Sequence, residues 1–507
     1  MNTDNNISAF LTFVLLTLGS IFTLGVGLST AAIEEDLTIV FASGMAEIHL
    51  DHNQGGYPQL KSLLTTLRAK DEHVLFLHGG DVLSPGILST IDKGAHMISI
   101  LNDLAPAAMA VSKSELAHQE DALSLRTFEA GFPITNCNLY DPLTEGAVEG
   151  ILPNHILKVG DLNIGILSVV DPEVIIDYLP QRITTKNINT SVALNTKQLK
   201  EKGADLIILM AGFSIETFNT YFSNPPVDIV LLSQTTGDTG LTQQGYSLFE
   251  LKGHKGSAAI ISLHIQKRDT KSSWTGTSQI VQLKDYPADP DLEEKIRSYS
   301  NQLSNTLGQV IGMTRTPLDT RRESIRSGEN AFANFTADSL REFYNSDISL
   351  INGGGFRANK EYPSGSNLSV GDIQKELPFN NRVVNLRLSG ETLKKSIENG
   401  LSRIEELKGG FPHVSGIKVE YDPKSPPLHR VISITIANQP LEPDRMYTLT
   451  TLDFLASGGD GYNDLINAER IVKIGESRIL WEYVKNCIVK NGVISPKIDG
   501  RMKALQP

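Results

Sequence analysis

The chain has 507 residues, too many for one hydrophobic core, so two domains are expected. Hydrophobic residues make up 40% and charged residues 21%, the balance of a soluble globular protein. The formal net charge of -12 argues against a nucleic-acid partner, since such proteins carry a basic face. It does not argue against a small anion gripped by local arginines. Cys137 and Cys487 are far apart and form no CxxC spacing, which excludes a thiolate zinc site. Both are read as buried free thiols, small core hydrophobes.

The first element is the uncharged apolar run Ile7–Leu28. Small residues follow it at Ser29, Thr30, Ala31 and Ala32, so residues 1–32 read as a secretory signal peptide. The run also has the roughly 20 residues needed to cross a bilayer, so a retained anchor over residues 7–28 is the alternative. Both place the rest of the chain outside the cytoplasm, periplasmic or secreted, with no other membrane contact.

From Leu37 onward short apolar strands alternate with helices, the pattern of an α/β layered domain. LTIVFA reads as a strand, YPQLKSLLTTLRA as an amphipathic helix, HVLFLHGG as a second strand and HMISILNDL as a helix. The runs AAMAV, LNIGILSVV, DLIILMA and VDIVLLS continue the series, and SAAIISLHIQKR with QIVQLKDY reads as a closing antiparallel pair. A proline-flanked acidic start then opens a helix over about Asp291–Leu307. The boundaries are set at 33–285 for the first domain, 286–308 for a linker helix and 309–507 for a second α/β or α+β domain.

Four motifs in the second half carry chemistry. NGGGFRANK (Asn352–Lys360) follows a strand; its glycines would leave backbone amides open to a ligand, and Arg357 would offer a forked cation to phosphate or carboxylate. LPFNNRVVNLRLSG (Leu377–Gly390) is a Pro-Phe turn entering a strand. GGFPHVSGIKVEYD and LDFLASGGDGYND place Phe411 and Phe454 in loops and Asp460 on a glycine turn. Two loop aromatics can sandwich a planar base, and a carboxylate can accept bonds from ribose hydroxyls.

NGGGFR, LPFNN, FPHVSG and DFLASGGDGY, in this order and spacing, resemble the C-terminal domain of the 5′-nucleotidase family, from about Ile311 to the C-terminus. The segment RRESIRSGENAFANFTADSLR resembles the family's lead into that domain. The resemblance implies nucleotide or nucleoside binding. Phe411 and Phe454 would sandwich the base, Asp460 would bind ribose, Arg357 would lie near phosphate, and Asn381 falls on the asparagine of the family's PFGN turn. Asn380 replaces that turn's glycine, and Leu452 stands where the family often has asparagine.

The family pairs this domain with a metallophosphoesterase domain, a four-layer αββα sandwich whose two metal ions activate water and clamp phosphate. The GGY helix, the GGDVL turn, the FP...CN segment and the VDIVL strand match that frame. The ligands do not. Gly44 and Ala46 replace an aspartate and a histidine, and Lys113, Ser114 and Ala117 stand for the asparagine ligand, the catalytic histidine and its aspartate. Met210-Ala211 replaces a Ser/Thr-His pair, and Ser233–Thr236 replaces GHTH. Asp81 is the one retained metal ligand, and Lys113 is expected to pair with it. The expectation is therefore a pseudoenzyme that binds nucleotide without a metal cofactor or a catalytic residue of its own. The alternative is an active phosphohydrolase or cyclic phosphodiesterase, using divalent Zn, Mn, Mg or Co on relocated ligands. Those would come from His49, Asp51 and His52, with His78, Glu115 and His118 near other loops; the two loop histidines His49 and His118 are more simply read as solvated.

Overall fold

Strand Ile33–Ala42 sends Leu37, Ile39 and Phe41 to one face, and Ile164, Ile166, Ile208 and Met210 from a second sheet meet them in one core. The period of two in each strand builds that interior. The computed structural model describes residues 33–46, 48, 55–84, 86–175, 182–243, 246–252, 256–268, 271–379, 381–471 and 479–505. The apolar run 7–28 lies outside them, as do His49, Asp51, His52 and Asn380. Among the described residues no helix is long and apolar enough to cross a membrane.

The chain divides into two compact units, one comprising Met1–Ser84 with Lys93–Leu292, the other Pro85–Asp92 with Glu293–Pro507. The division falls inside the helix Pro290–Gly308. Among the described residues of the first unit there are two six-stranded sheets. One runs, from edge to edge, Lys271–Gln282, Ser257–Arg268, Ile33–Ala42, Val74–His78, Ala108–Ala110 and Ile134–Thr135. The other runs Gln234–Gln243, Ser247–Lys252, Ile229–Leu232, Leu206–Ala211, Leu162–Val169 and His155–Val159. In strand Leu206–Ala211 the alternate residues Ile207, Leu209 and Ala211 pack outward with Val192, Leu199 and Phe218 of two helices. The expected α/β sandwich is thus observed, with sheets inside and helices outside. The first strand begins at Ile33 rather than Leu37: its charged start is recruited by an antiparallel partner that pairs along its whole length, Ile33 opposite Lys267.

The second unit centres on a five-stranded sheet ordered Pro412–Ser415, Ile348–Asn352, Met446–Leu452, Val383–Ser389 and Glu469–Arg470. Helix Ala331–Tyr344 starts where the Asn330 side chain accepts from the amides of Phe332 and Ala333, so the local sequence fixes its N-terminus. The helix that begins at Gly390 stops at Leu401, with a separate short turn at Ile404–Glu406. Cys137 is buried as expected, but Cys487 is only half-buried, because it lies on the partly solvated face of helix Leu480–Asn491.

One buried carboxylate organises the loop end of the first sheet. Glu115 is 1% exposed and accepts from the amides of Asp81 (2.9 Å), Val82 (2.8 Å) and Ser112 (2.9 Å). Burial pushes its carboxyl up to about 7 and the neighbouring Asp81 charge adds to that, while the amide donors oppose both. Glu115→Gln supplies one acceptor and turns an NH2 group against amides that still need partners. It is expected to lose about 2–4 kcal/mol of unfolding free energy in urea, more than an ordinary surface change. A loss under about 0.5 kcal/mol would show that water serves these amides instead.

Candidate functional site

The Asn352–Lys360 loop leaves strand Ile348–Asn352 through three glycines whose role differs from the expected one. Gly353 donates its amide to Phe411 O (2.8 Å) and Gly354 to Gly409 O (2.7 Å). A Cβ on Gly353 would clash with Ile325 O, and one on Gly354 would sit 2.7 Å from Gly409 Cα. The glycines permit two chain segments to touch; the amides of Gly353 and Gly354 are spent within the protein, not held open for a ligand.

That close approach draws the expected residues together. Asn352 Nδ2 donates to Asp460 Oδ2 at 2.7 Å, and the same oxygen lies 2.8 Å from where a Gly409 Cβ would be. Asp460 has φ +53, between Gly458 (+89) and Gly461 (+86), so the turn bearing it is built from left-handed backbone. Phe454 lies on the short helix Asp453–Ala456, 42% exposed, its ring covering Gly459. Phe411 is 1% exposed and meets His413 edge-on at 5.3 Å. Asn381 is half-buried where the Pro-Phe turn enters its strand, and its carbonyl accepts from Leu480 N. Arg357 is exposed, its guanidinium 5.0 Å from the Phe379 ring centroid of the same turn.

Arg326, in the segment RRESIRSGENAFANFTADSLR, is a site residue that none of the four motifs marks. Arg326 is 9% exposed, donates to Leu407 O at 3.2 Å, and leaves its Nε without a partner. Burial lowers its pKa, and the positive charges of Arg357 and Arg322 lower it further, while Asp460 opposes them. The Arg326 guanidinium therefore feels two like charges and one carboxylate. The signal was the spacing of Arg322 and Arg326, one helical turn apart. His413, also unassigned, holds this ground: its Nε2 donates to Ile325 O at 2.8 Å, next to Arg326, and burial lowers it to about 4, so it is neutral at pH 7.

In the other unit Asp81 ends the turn after strand Val74–His78, at φ +59. Its carboxylate accepts from Ser112 Oγ (2.9 Å) and from the amide of Ser114 (3.0 Å). Ala46, Ser114, Ala117 and Ala211 are buried. His78 is fully buried, takes the Gly80 amide on Nδ1 at 3.2 Å, and is lowered by burial to about 3. His118, expected to be solvated, is half-buried with Nε2 bonded to Leu83 O at 3.1 Å. Among the described residues no group of three or more His, Cys, Asp or Glu is placed to hold a metal.

The profile of the 5′-nucleotidase C-terminal domain matches residues 310–466. The 5′-nucleotidase of Homo sapiens is 27% identical over 500 residues, spanning 89% of this chain and 85% of that protein. The chain superposes on the NAD nucleotidase of Haemophilus influenzae with TM-score 0.63 at 15% identity, over 93% of this chain and 99% of that one. It superposes on a 5′-nucleotidase precursor from Thermus thermophilus with TM-score 0.54 at 20% identity, over 93% and 100%. These last two likenesses speak for the fold, which is two-domain and α/β. Profile, full-length relative and fold agree with the motif order NGGGFR, LPFNN, FPHVSG, GGDGY, and the chain belongs to the 5′-nucleotidase family.

Proposed function

We propose that this chain binds a nucleotide or nucleoside through its C-terminal domain, outside the cytoplasm, and has lost metal-dependent hydrolysis. The observation that carries the binding half is the buried guanidinium of Arg326, its Nε without a partner, which Arg322 and Arg357 repel and Asp460 attracts. Like charges in a partly desolvated site repel, and an added phosphate relieves that repulsion. Arg326 and Arg357 supply forked donors for it. Asp460, held by Asn352, offers acceptor capacity to ribose hydroxyls, and Phe454, 42% exposed, supplies a stacking face; the buried Phe411 would complete a sandwich only once uncovered, and Asn381 stands at the adjoining turn. The domain assignment proposed is 33–285 phosphoesterase-like, 286–308 linker and 309–507 substrate-binding.

The described residues around Asp81 do not fit a two-metal centre. Such a centre needs several carboxylate and imidazole donors converging on each ion. Here Asp81 already accepts from Ser112 and Ser114, and Glu115 from backbone amides. The remaining positions offer Gly44, Ala46, Lys113, Ala117 and Ala211, with Ser233–Thr236 in place of GHTH. No reaction step is assigned to this domain.

Calorimetric titration of the metal-free chain should show binding of adenosine and AMP. Phe454→Ala should weaken both about fivefold or more, in line with stacking worth about 1–3 kcal/mol per base. Arg326→Ala should weaken AMP more than adenosine; equal losses would remove the arginine from the phosphate end. On the same sample, AMP, ATP and 2′,3′-cyclic AMP should stay intact with added Mn, Co or Zn. Metal-stimulated phosphate release that vanishes with Asp81→Asn would overturn the loss of hydrolysis. Release that vanishes instead with His49→Ala, Asp51→Ala or His52→Ala would establish relocated ligands.

The support beneath Arg357 is sensitive to pH. Glu376 is fully buried, its Oε1 accepting from Thr320 Oγ1 and Tyr362 OH, both at 2.8 Å, while its carbonyl accepts from Arg357 N at 2.9 Å. Burial raises its carboxyl from 4.5 to about 7, against the opposing hydroxyl donors. Between those values the folded chain holds a proton that the unfolded chain releases, so this group's stabilisation is complete below 4.5 and is lost as pH rises through 7. In urea denaturation Glu376→Gln should flatten the decline in stability between about pH 5 and 7. An unchanged slope would show that Glu376 ionises in the fold as it does in the open chain.

A further inference from the structure

The second unit carries another cation that forms no ion pair among the described residues. Arg341 is in the last turn of helix Ala331–Tyr344. Its Nε donates to Ser415 Oγ at 2.8 Å, and Ser415 donates in turn to Asp338 Oδ1 at 2.6 Å. Its stem lies on Gly416, at φ +81, where a Cβ would come 2.9 Å from Arg341 Cδ. Stem and Nε are both fixed, so the ordering cost of the side chain is met by folding, not by binding. Beyond the bond to Ser415, Arg341 makes no hydrogen bond or ion pair among the described residues, and Lys418 makes none.

Arg341 and Lys418 line a cleft of about 250 Å³ together with Thr435 and Asn438. Arg501, on the same wall, is already held by Asp338 (2.7 and 3.2 Å) and Asp499 (2.9 and 2.6 Å). The walls thus hold three cations against two carboxylates, and the two unpaired charges are cationic. The rim is a tight turn with Ala437 at φ +48 and Asn438 at +62. An alanine there costs about 1–2 kcal/mol of backbone strain, of the kind that persists at ligand clamps. The volume is below the range of roughly 300–1,000 Å³ usual for cofactors, which selects a small ligand. None of the cleft's residues belongs to the cluster around Asp460.

We propose that this cleft binds a small oxyanion, phosphate or carboxylate, on the free edge of the Arg341 guanidinium with Lys418 as the second contact. Calorimetry of the full chain with inorganic phosphate, and separately with succinate, tests it. Arg341→Met keeps the stem and removes the fork. It should abolish one anion-binding event while leaving adenosine affinity unchanged; Lys418→Met, on an exposed side chain, should weaken the same event at least threefold. A response to phosphate alone or to succinate alone identifies the ligand class. Unaltered anion binding in both variants, or an event removed only by Arg357→Ala, would overturn the site. Failure of nucleotide binding would leave the Arg341-dependent event in place, so the two readings fail separately.

Discussion

The carboxylate of Asp460 is the point on which the C-terminal unit settles its charge. It sits on a turn of left-handed backbone, accepts from the Asn352 carboxamide, and faces the buried guanidinium of Arg326. Asp460 lies more than a hundred positions from both Asn352 and Arg326, so the fold has to bring them together. Take Asp460 away and Asn352 loses its acceptor while three arginines repel one another without relief. The glycines of the Asn352–Lys360 loop serve this meeting, because only residues without Cβ let Gly353 and Gly354 reach the 409–411 backbone.

Asp81 makes an instructive contrast. It too is an aspartate in a left-handed turn at the end of a strand. Its oxygens, however, are satisfied by a hydroxyl and an amide from Ser112 and Ser114, and its backbone is held by Glu115. Asp81 has a hydroxyl and an amide as partners inside the protein and stabilises a turn; Asp460, held by Asn352, is the acceptor that the proposed function offers to a ligand. The two aspartates differ less in conformation than in what surrounds them.

Around both, buried titratable groups act as struts. Glu115 ties the turn of Asp81 to Ser112, and Glu376 ties Thr320, Tyr362 and the Arg357 loop into one knot. His413 does the same for Phe411 and the segment bearing Arg326, its ring neutral because burial disfavours the imidazolium. Each holds a functional loop by hydrogen bonds that an apolar residue of equal size could not make.

Much of this was written in the local sequence. Strand and helix periodicity, the Asn330 cap and the order of the four motifs are legible along the chain, and the chain alone determined them. Only the tertiary structure decided what those positions meet. It extended the first strand to Ile33 through its antiparallel partner, spent the loop glycines on chain contact, buried Phe411 while leaving Phe454 exposed, and set Arg326 beside Asp460. The reason is physical: periodicity and turn chemistry act over a few residues. Burial, charge crowding and hydrogen-bond satisfaction depend on partners that the sequence places a hundred residues away.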